Sequence, residues 1–167
     1  MKSIYVLTVL TALTGCIAPQ QSRPIFPISA VFDLAQATRL MAEGRNTIKG
    51  NAFLRQRGGG VVTCAGAEVL LVPATAYAKE RFLRIYGDKN VSRQSIIFEP
   101  NPVEYVATTK NTKCDSQGNF VFERIADGDF FVTTRVTWEN SNTTQGGAIF
   151  QAITVKDGQT ANLVLTN

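Results

Sequence analysis

Hydrophobic positions change period several times along the chain. Ile4 to Leu13 form an apolar run broken only by threonines, and Ile17 to Ser29 reads IAPQQSRPIFPIS, with three prolines and no period. The second stretch predicts an extended tether over 16–29. Val31, Leu34, Ala35, Thr38, Met41 and Ala42 then recur at helical spacing between Ser29, a capping residue, and Gly44, a stop. They predict one amphipathic helix over 30–44. From residue 45 the signals are those of strands. NTIKGNAFLRQRGG runs into the glycines 58–60, AEVLLVPAT is a near-continuous apolar segment, and YVATTKNTKCDSQGNFVFERIADGDFFVTTRVTW alternates apolar with polar across two turns. GGAIFQAITV and TANLVL, joined by KDGQ, close the chain as a hairpin. Seven short strands at this spacing predict an all-β sandwich over 45–167. Residues 74–106 form a polar insert, where Tyr77, Phe82, Ile85 and Tyr86 fit a short helix.

One part of the pattern is more specific. Asp115, Gly118, Phe120, Phe122, Ile125, Gly128, Phe130 and Val132 spell D-x-x-G-x-F-x-F-x-x-I-x-x-G-x-F-x-V. This resembles the hallmark hairpin of carboxypeptidase regulatory-like domains, which share the transthyretin (prealbumin)-like, Ig-like sandwich. Ile48-x-Gly50 followed by Gly66-x-x-Val69-x-Leu71 is similar to that family's opening strands, and VKDGQTANLVL to its closing hairpin. The match covers 47–73 and 107–167, and the insert departs from it. The resemblance implies a fold used for stalks, spacers and sugar- or protein-binding modules, not a particular reaction.

The apolar run at the start follows Met1 and Lys2. It is half the roughly 20 residues that a membrane-spanning helix needs, so it reads as a signal-peptide core. Leu13-Thr14-Gly15-Cys16 resembles the box that ends bacterial lipoprotein signal peptides. The resemblance implies removal of 1–15, lipidation of Cys16 with palmitate among its acyl groups, and a membrane partner through that anchor. Ile17, where inner-membrane lipoproteins tend to carry Asp, implies passage to the outer membrane; the domain is expected to face the periplasm, with the cell surface as the open alternative.

Removing 15 of 167 residues leaves 152, enough for one domain with a core. Loss of Lys2 lowers the Lys and Arg total from 17 to 16, against 13 Asp and Glu. This small, scattered excess gives no reason to expect a nucleic-acid partner. Export places Cys64 and Cys114 in an oxidising compartment, where the pair is expected to form a disulfide. With no histidine in the chain and no Cys or His at ligand spacing, no structural metal is expected.

The same lack of histidine removes the commonest general base, and no nucleophile elbow, P-loop or zinc-protease motif is present. Asp127 with Asp129, and Glu99 with Glu104, are the remaining carboxylate pairs; they flank a turn glycine or prolines and read as solvated turn residues. Asp115, Asp127 and Asp129 make no dense calcium loop. We therefore expect a protein that is not an enzyme and has no cofactor. The three glycines 58–60 lack a following Lys-Ser/Thr and read as a hairpin tip.

Two function classes remain. The first is a structural or assembly module that docks on an envelope protein partner through its insert, with Tyr77, Arg81, Arg84 and Tyr86 as candidate contacts. The second is an envelope module that captures peptides or glycans, using Tyr77, Tyr86, Tyr105 and Trp138. Trp138, at the end of an apolar strand, is either core or a platform for a sugar ring. Aromatics scattered without paired polar residues favour the docking class.

Overall fold

The computed structural model describes residues 23–167; the leader and Cys16 lie outside them. The elements run β1 (Ile25–Pro27), α1 (Leu34–Met41), β2 (Glu43–Arg55), β3 (Val61–Thr63), β4 (Glu68–Pro73) and α2 (Ala76–Tyr86). Then come β5 (Val91–Ser92), β6 (Ile97–Glu99), α3 (Val103–Ala107), β7 (Lys110–Lys113), β8 (Asn119–Ile125), β9 (Gly128–Asn140), β10 (Thr143–Val155) and β11 (Thr160–Leu165).

Period-two burial builds the sandwich. Val69 and Leu71 of β4, Phe120 and Phe122 of β8, and Phe130, Val132 and Val136 of β9 all point into one core with Ile48, Ile149 and Leu165. One sheet has the order β7-β4-β9-β10-β5. The other is organised on β2, which pairs in parallel with β11 and antiparallel with β8 and, at its end, β3. All seven expected strands are present as β2, β4 and β7 to β11. The fold is an all-β sandwich with minor helical parts.

The hallmark segment is not a paired hairpin, because β8 pairs with β2 in one sheet and β9 with β4 and β10 in the other. Asp115 Oδ1 accepts from the backbone N–H groups of Gln117 and Asn119, both at 2.8 Å, which folds the turn before β8. Gly118 has φ +84°, and a Cβ there would sit 2.8 Å from both Ala52 O and Thr63 Cβ. The turn thus fits against the β2–β3 strands only with glycine. Beside it, Cys64 and Cys114 form a disulfide with Cα atoms 5.8 Å apart. Its 50-residue separation contributes about 4 kcal/mol in the chain-entropy account.

Four further expectations need correction. The chain does not close as a hairpin, because β10 lies in the five-stranded sheet while β11 pairs in parallel with β2 in the other. The helix is shorter than 30–44, because Asp33 is the cap, accepting from Gln36 N at 2.9 Å, and Glu43 already belongs to β2. Ser29 instead donates through its N–H and its hydroxyl to Glu80 of α2. The tether is also shorter within the described residues, since β1 pairs in parallel with β6, matching Ile25 to Ile97 and Pro27 to Glu99. Ile28 is buried.

The fourth concerns the insert, expected to be an addition that the sandwich does not need; it is a layer of the fold. Phe82 stacks on Phe131 at 4.3 Å and lies 5.2 Å from Phe150, covering the outer face of the five-stranded sheet. Val91 and Ser92 add an edge strand to that sheet through β10. Tyr105, expected in a strand, lies on α3.

Candidate functional site

At one end of the sandwich the two sheets diverge around a cleft of ≈ 640 Å³. Its residues come from four separate parts of the chain: Arg55 to Gly58 at the end of β2, Val91 and Arg93 after α2, Trp138 to Asn140 with Gln145 and Gly146 on the β9–β10 hairpin, and Asn167. Trp138 follows Phe130, Val132, Thr134 and Val136 on the core-facing side of β9 and is half-buried. One part of its indole packs on the core while the remainder lines the cleft. The core reading of Trp138 thus holds in part, and the ring also reaches the cleft.

The hairpin is built to place this ring. Ser141 and Asn142 both have positive φ and join Asn140 to its partner Thr143 in a two-residue turn. This type I′ geometry matches strand twist and fixes the register. Gln145 therefore opposes Trp138, and Gly146 follows with φ +90°. A Cβ on Gly146 would come 3.0 Å from Trp138 Cζ3, so glycine lets the indole lie close over the strand.

Arg93 Nε donates to Gly146 O at 3.0 Å, holding its guanidinium at the cleft. Across from it, Arg55 N donates to Asn167 Oδ1 at 3.0 Å, tying the chain end to β2. Glu139 Oε1 accepts from the Thr144 hydroxyl at 2.8 Å. The lining is planar and polar around one aromatic face: Arg55, Arg57 and Arg93, the amides of Gln56, Asn140, Gln145 and Asn167, and one carboxylate. Three guanidinium groups against Glu139 give the cleft a positive bias. The glycines 58–60 form a hairpin tip, as expected, with Gln56 N donating to Gly60 O.

The four residues expected to contact a partner do not form one exposed patch. Tyr77 is fully buried: its ring meets Phe32 at 5.6 Å and Tyr105 at 5.1 Å, and its hydroxyl donates to Pro100 O. Tyr86 is buried on Phe150 with its hydroxyl against Thr133, and burial raises its pKa. Arg84 is exposed, with a nitrogen 3.9 Å from Glu80. Arg81 is half-buried among aromatic rings. The tyrosines are internal because the insert needs their area to close on the sheet.

Of the candidate carboxylates, Asp127 and Asp129 are occupied structurally. Asp127 Oδ1 accepts from Asn46 Nδ2 at 2.8 Å and Asp129 Oδ1 from the Thr154 hydroxyl at 2.6 Å. Among the described residues no group of three or more Cys, Asp or Glu is placed to hold a metal, and no helix is long and apolar enough to cross a membrane.

No protein-family model matches the chain, and no curated protein sequence matches it. Among solved structures, a Pseudomonas aeruginosa crystal structure described as a "putative carbohydrate binding protein" is similar with a TM-score of 0.65. It is 22% identical, and the match covers 81% of this chain and 97% of that one. The likeness is one of fold. That fold places hairpin tips and strand ends of two sheets around a common cleft here, and the residues lining it are this chain's own.

Proposed function

We propose that the protein is a non-enzymatic, lipid-anchored module of the bacterial envelope that captures glycans in the Trp138 cleft. The observation that carries this reading is a half-buried indole that lines a cleft rimmed by side-chain amides and guanidinium groups. A pyranose ring presents an apolar C–H face, which suits an indole, and a girdle of hydroxyls, which suits planar donors and acceptors. The excess of arginine favours acidic sugars, whose carboxylates a guanidinium binds through two parallel hydrogen bonds. The description attached to the Pseudomonas structure supports the same class by analogy of fold. Burial of Tyr77 and Tyr86 removes contacts expected for both classes and leaves Trp138, which belongs to the capture class alone.

Isothermal titration with an oligogalacturonate hexamer and with maltohexaose tests the reading. Binding of at least one is expected, weakened about tenfold or more by Trp138→Ala. Equal affinity in the variant, or no binding of either sugar by the wild type, overturns it.

A further inference from the structure

A second cavity, ≈ 510 Å³, lies on the opposite face of the five-stranded sheet, where the insert arches over the strands without filling the space. Leu70, Val72 and Thr133 make its floor; Phe82 of α2 stands on one side, Ile96 and Tyr105 on another. Its size falls in the range of roughly 300–1,000 Å³ that small-molecule sites occupy, and its lining joins an apolar and aromatic majority to a substantial set of polar side chains.

Arg81 is the group that gives this space a chemistry. Its guanidinium carbon lies 4.4 Å from the centre of the Phe98 ring and 4.6 Å from that of Tyr105. Nη1 donates to the Tyr77 hydroxyl at 3.0 Å and to Asn101 Oδ1 at 2.7 Å. Those bonds leave Nε and Nη2 without a partner among the described residues, and no carboxylate there is within ion-pairing distance of Arg81. Nε and Nη2 are the two parallel donors of the guanidinium's side edge, the pair that a carboxylate takes bidentately. The rings fix the cation's position and thin its hydration, which makes an anion worth more here than at an open surface.

Tyr105 lines the same cavity, and the side-chain hydrogen bonds that reach it among the described residues are to its backbone carbonyl, not to its hydroxyl. Burial pushes its pKa up to about 12, so it remains a neutral donor. Arg135 and Glu68 also line the cavity, are exposed and sum to zero charge, so Arg81 supplies the net positive charge of the lining.

We propose that this cavity binds a small organic acid with a flat apolar body, its carboxylate on the Arg81 fork and the Tyr105 hydroxyl, its body against Leu70, Val72 and Phe82. The inference is independent of the glycan cleft, which lies at the end of the sandwich and shares no lining residue with it.

Amide chemical-shift titrations with 4-phenylbutyrate and with its uncharged counterpart 4-phenylbutanol test it on the wild-type chain. The acid should give saturable shifts around the cavity, and the alcohol should bind about tenfold or more weakly, the worth of a charge-assisted hydrogen-bond pair. Arg81→Lys keeps the charge but loses the fork, and should weaken the acid by about tenfold while leaving the alcohol unchanged. Should Arg81→Lys not fold, Tyr105→Phe keeps the ring and should still weaken the acid several-fold. Acid and alcohol binding alike, an acid titration sensitive to Trp138→Ala instead of to Arg81, or no acid binding up to about 10 mM overturns the proposal.

Discussion

Asn46 is fully buried in β2, a position where an unpaired amide would cost about 1–3 kcal/mol. It is satisfied on both ends: Nδ2 donates to Ile125 O and Asp127 Oδ1, and Oδ1 accepts from Gln159 N. One side chain thus fastens the ends of β8 and β11 to β2, at the bulge where the β2–β8 register shifts. Two other carboxylates do similar work, Asp115 in the turn before β8 and Glu80 on residues 29 and 30. All three are held below their ordinary pKa: Asp127 chiefly by the Asn46 side chain, Asp115 chiefly by that of Asn119, Glu80 chiefly by the Ala30 N–H. A carboxylate depressed on folding contributes stability in full above its unfolded value, 3.8 for Asp and 4.5 for Glu. That contribution is lost as pH falls through the lower folded value. The urea midpoint should therefore decline between about pH 5 and about pH 2, with Asp115→Asn reducing the slope. A midpoint flat across that window would show that these bonds do not favour the ionised form.

Among the elements, the insert separates what local pattern can reveal from what it cannot. Strands β8 to β11 were legible because alternation over six or more residues, bounded by Asp, Gly and Asn turns, has few other interpretations. The helix α2 was legible for the same reason at its own period. What α2 packs against was not, since an apolar stripe fits a partner and the chain's own sheet equally well. The sheet's side of the contact was written in Phe131 and Phe150, outward positions of β9 and β10 that are too apolar for a solvated face. The pairing of Ile25–Pro27 with Ile97–Glu99 joins two three-residue strands far apart in sequence, and no periodic signal exists at that length. If the insert is a structural layer, Phe82→Ala should cost about 3–5 kcal/mol in chemical denaturation, as buried aromatic truncations do. A loss below about 1 kcal/mol would mean the layer is detachable.

For the whole molecule, the disulfide and the two-sheet core were foreseeable from two cysteines and seven strands, whereas the cleft was not. Arg55, Arg93, Trp138 and Asn167 meet only after the sandwich closes and β5 has joined β10. Trp138 carried the single local hint, as an aromatic at the end of a strand beside a polar turn. The tether is a separate matter, since Cys16 lies outside the described residues. The lipoprotein proposal predicts that Cys16→Ser abolishes palmitate labelling and leaves unprocessed precursor in membranes, and unchanged labelling would remove the envelope assignment while leaving the cleft intact. Glycan capture can be followed from inside the site, because Trp138 is the chain's sole tryptophan. Its ring spans the core edge and the cleft, so its emission responds to what occupies the cleft. Titration with oligogalacturonate or maltohexaose should shift that emission saturably, with the midpoint that calorimetry gives for the same sugar. Calorimetric binding with the Trp138 emission unmoved would place the sugar elsewhere and contradict the account.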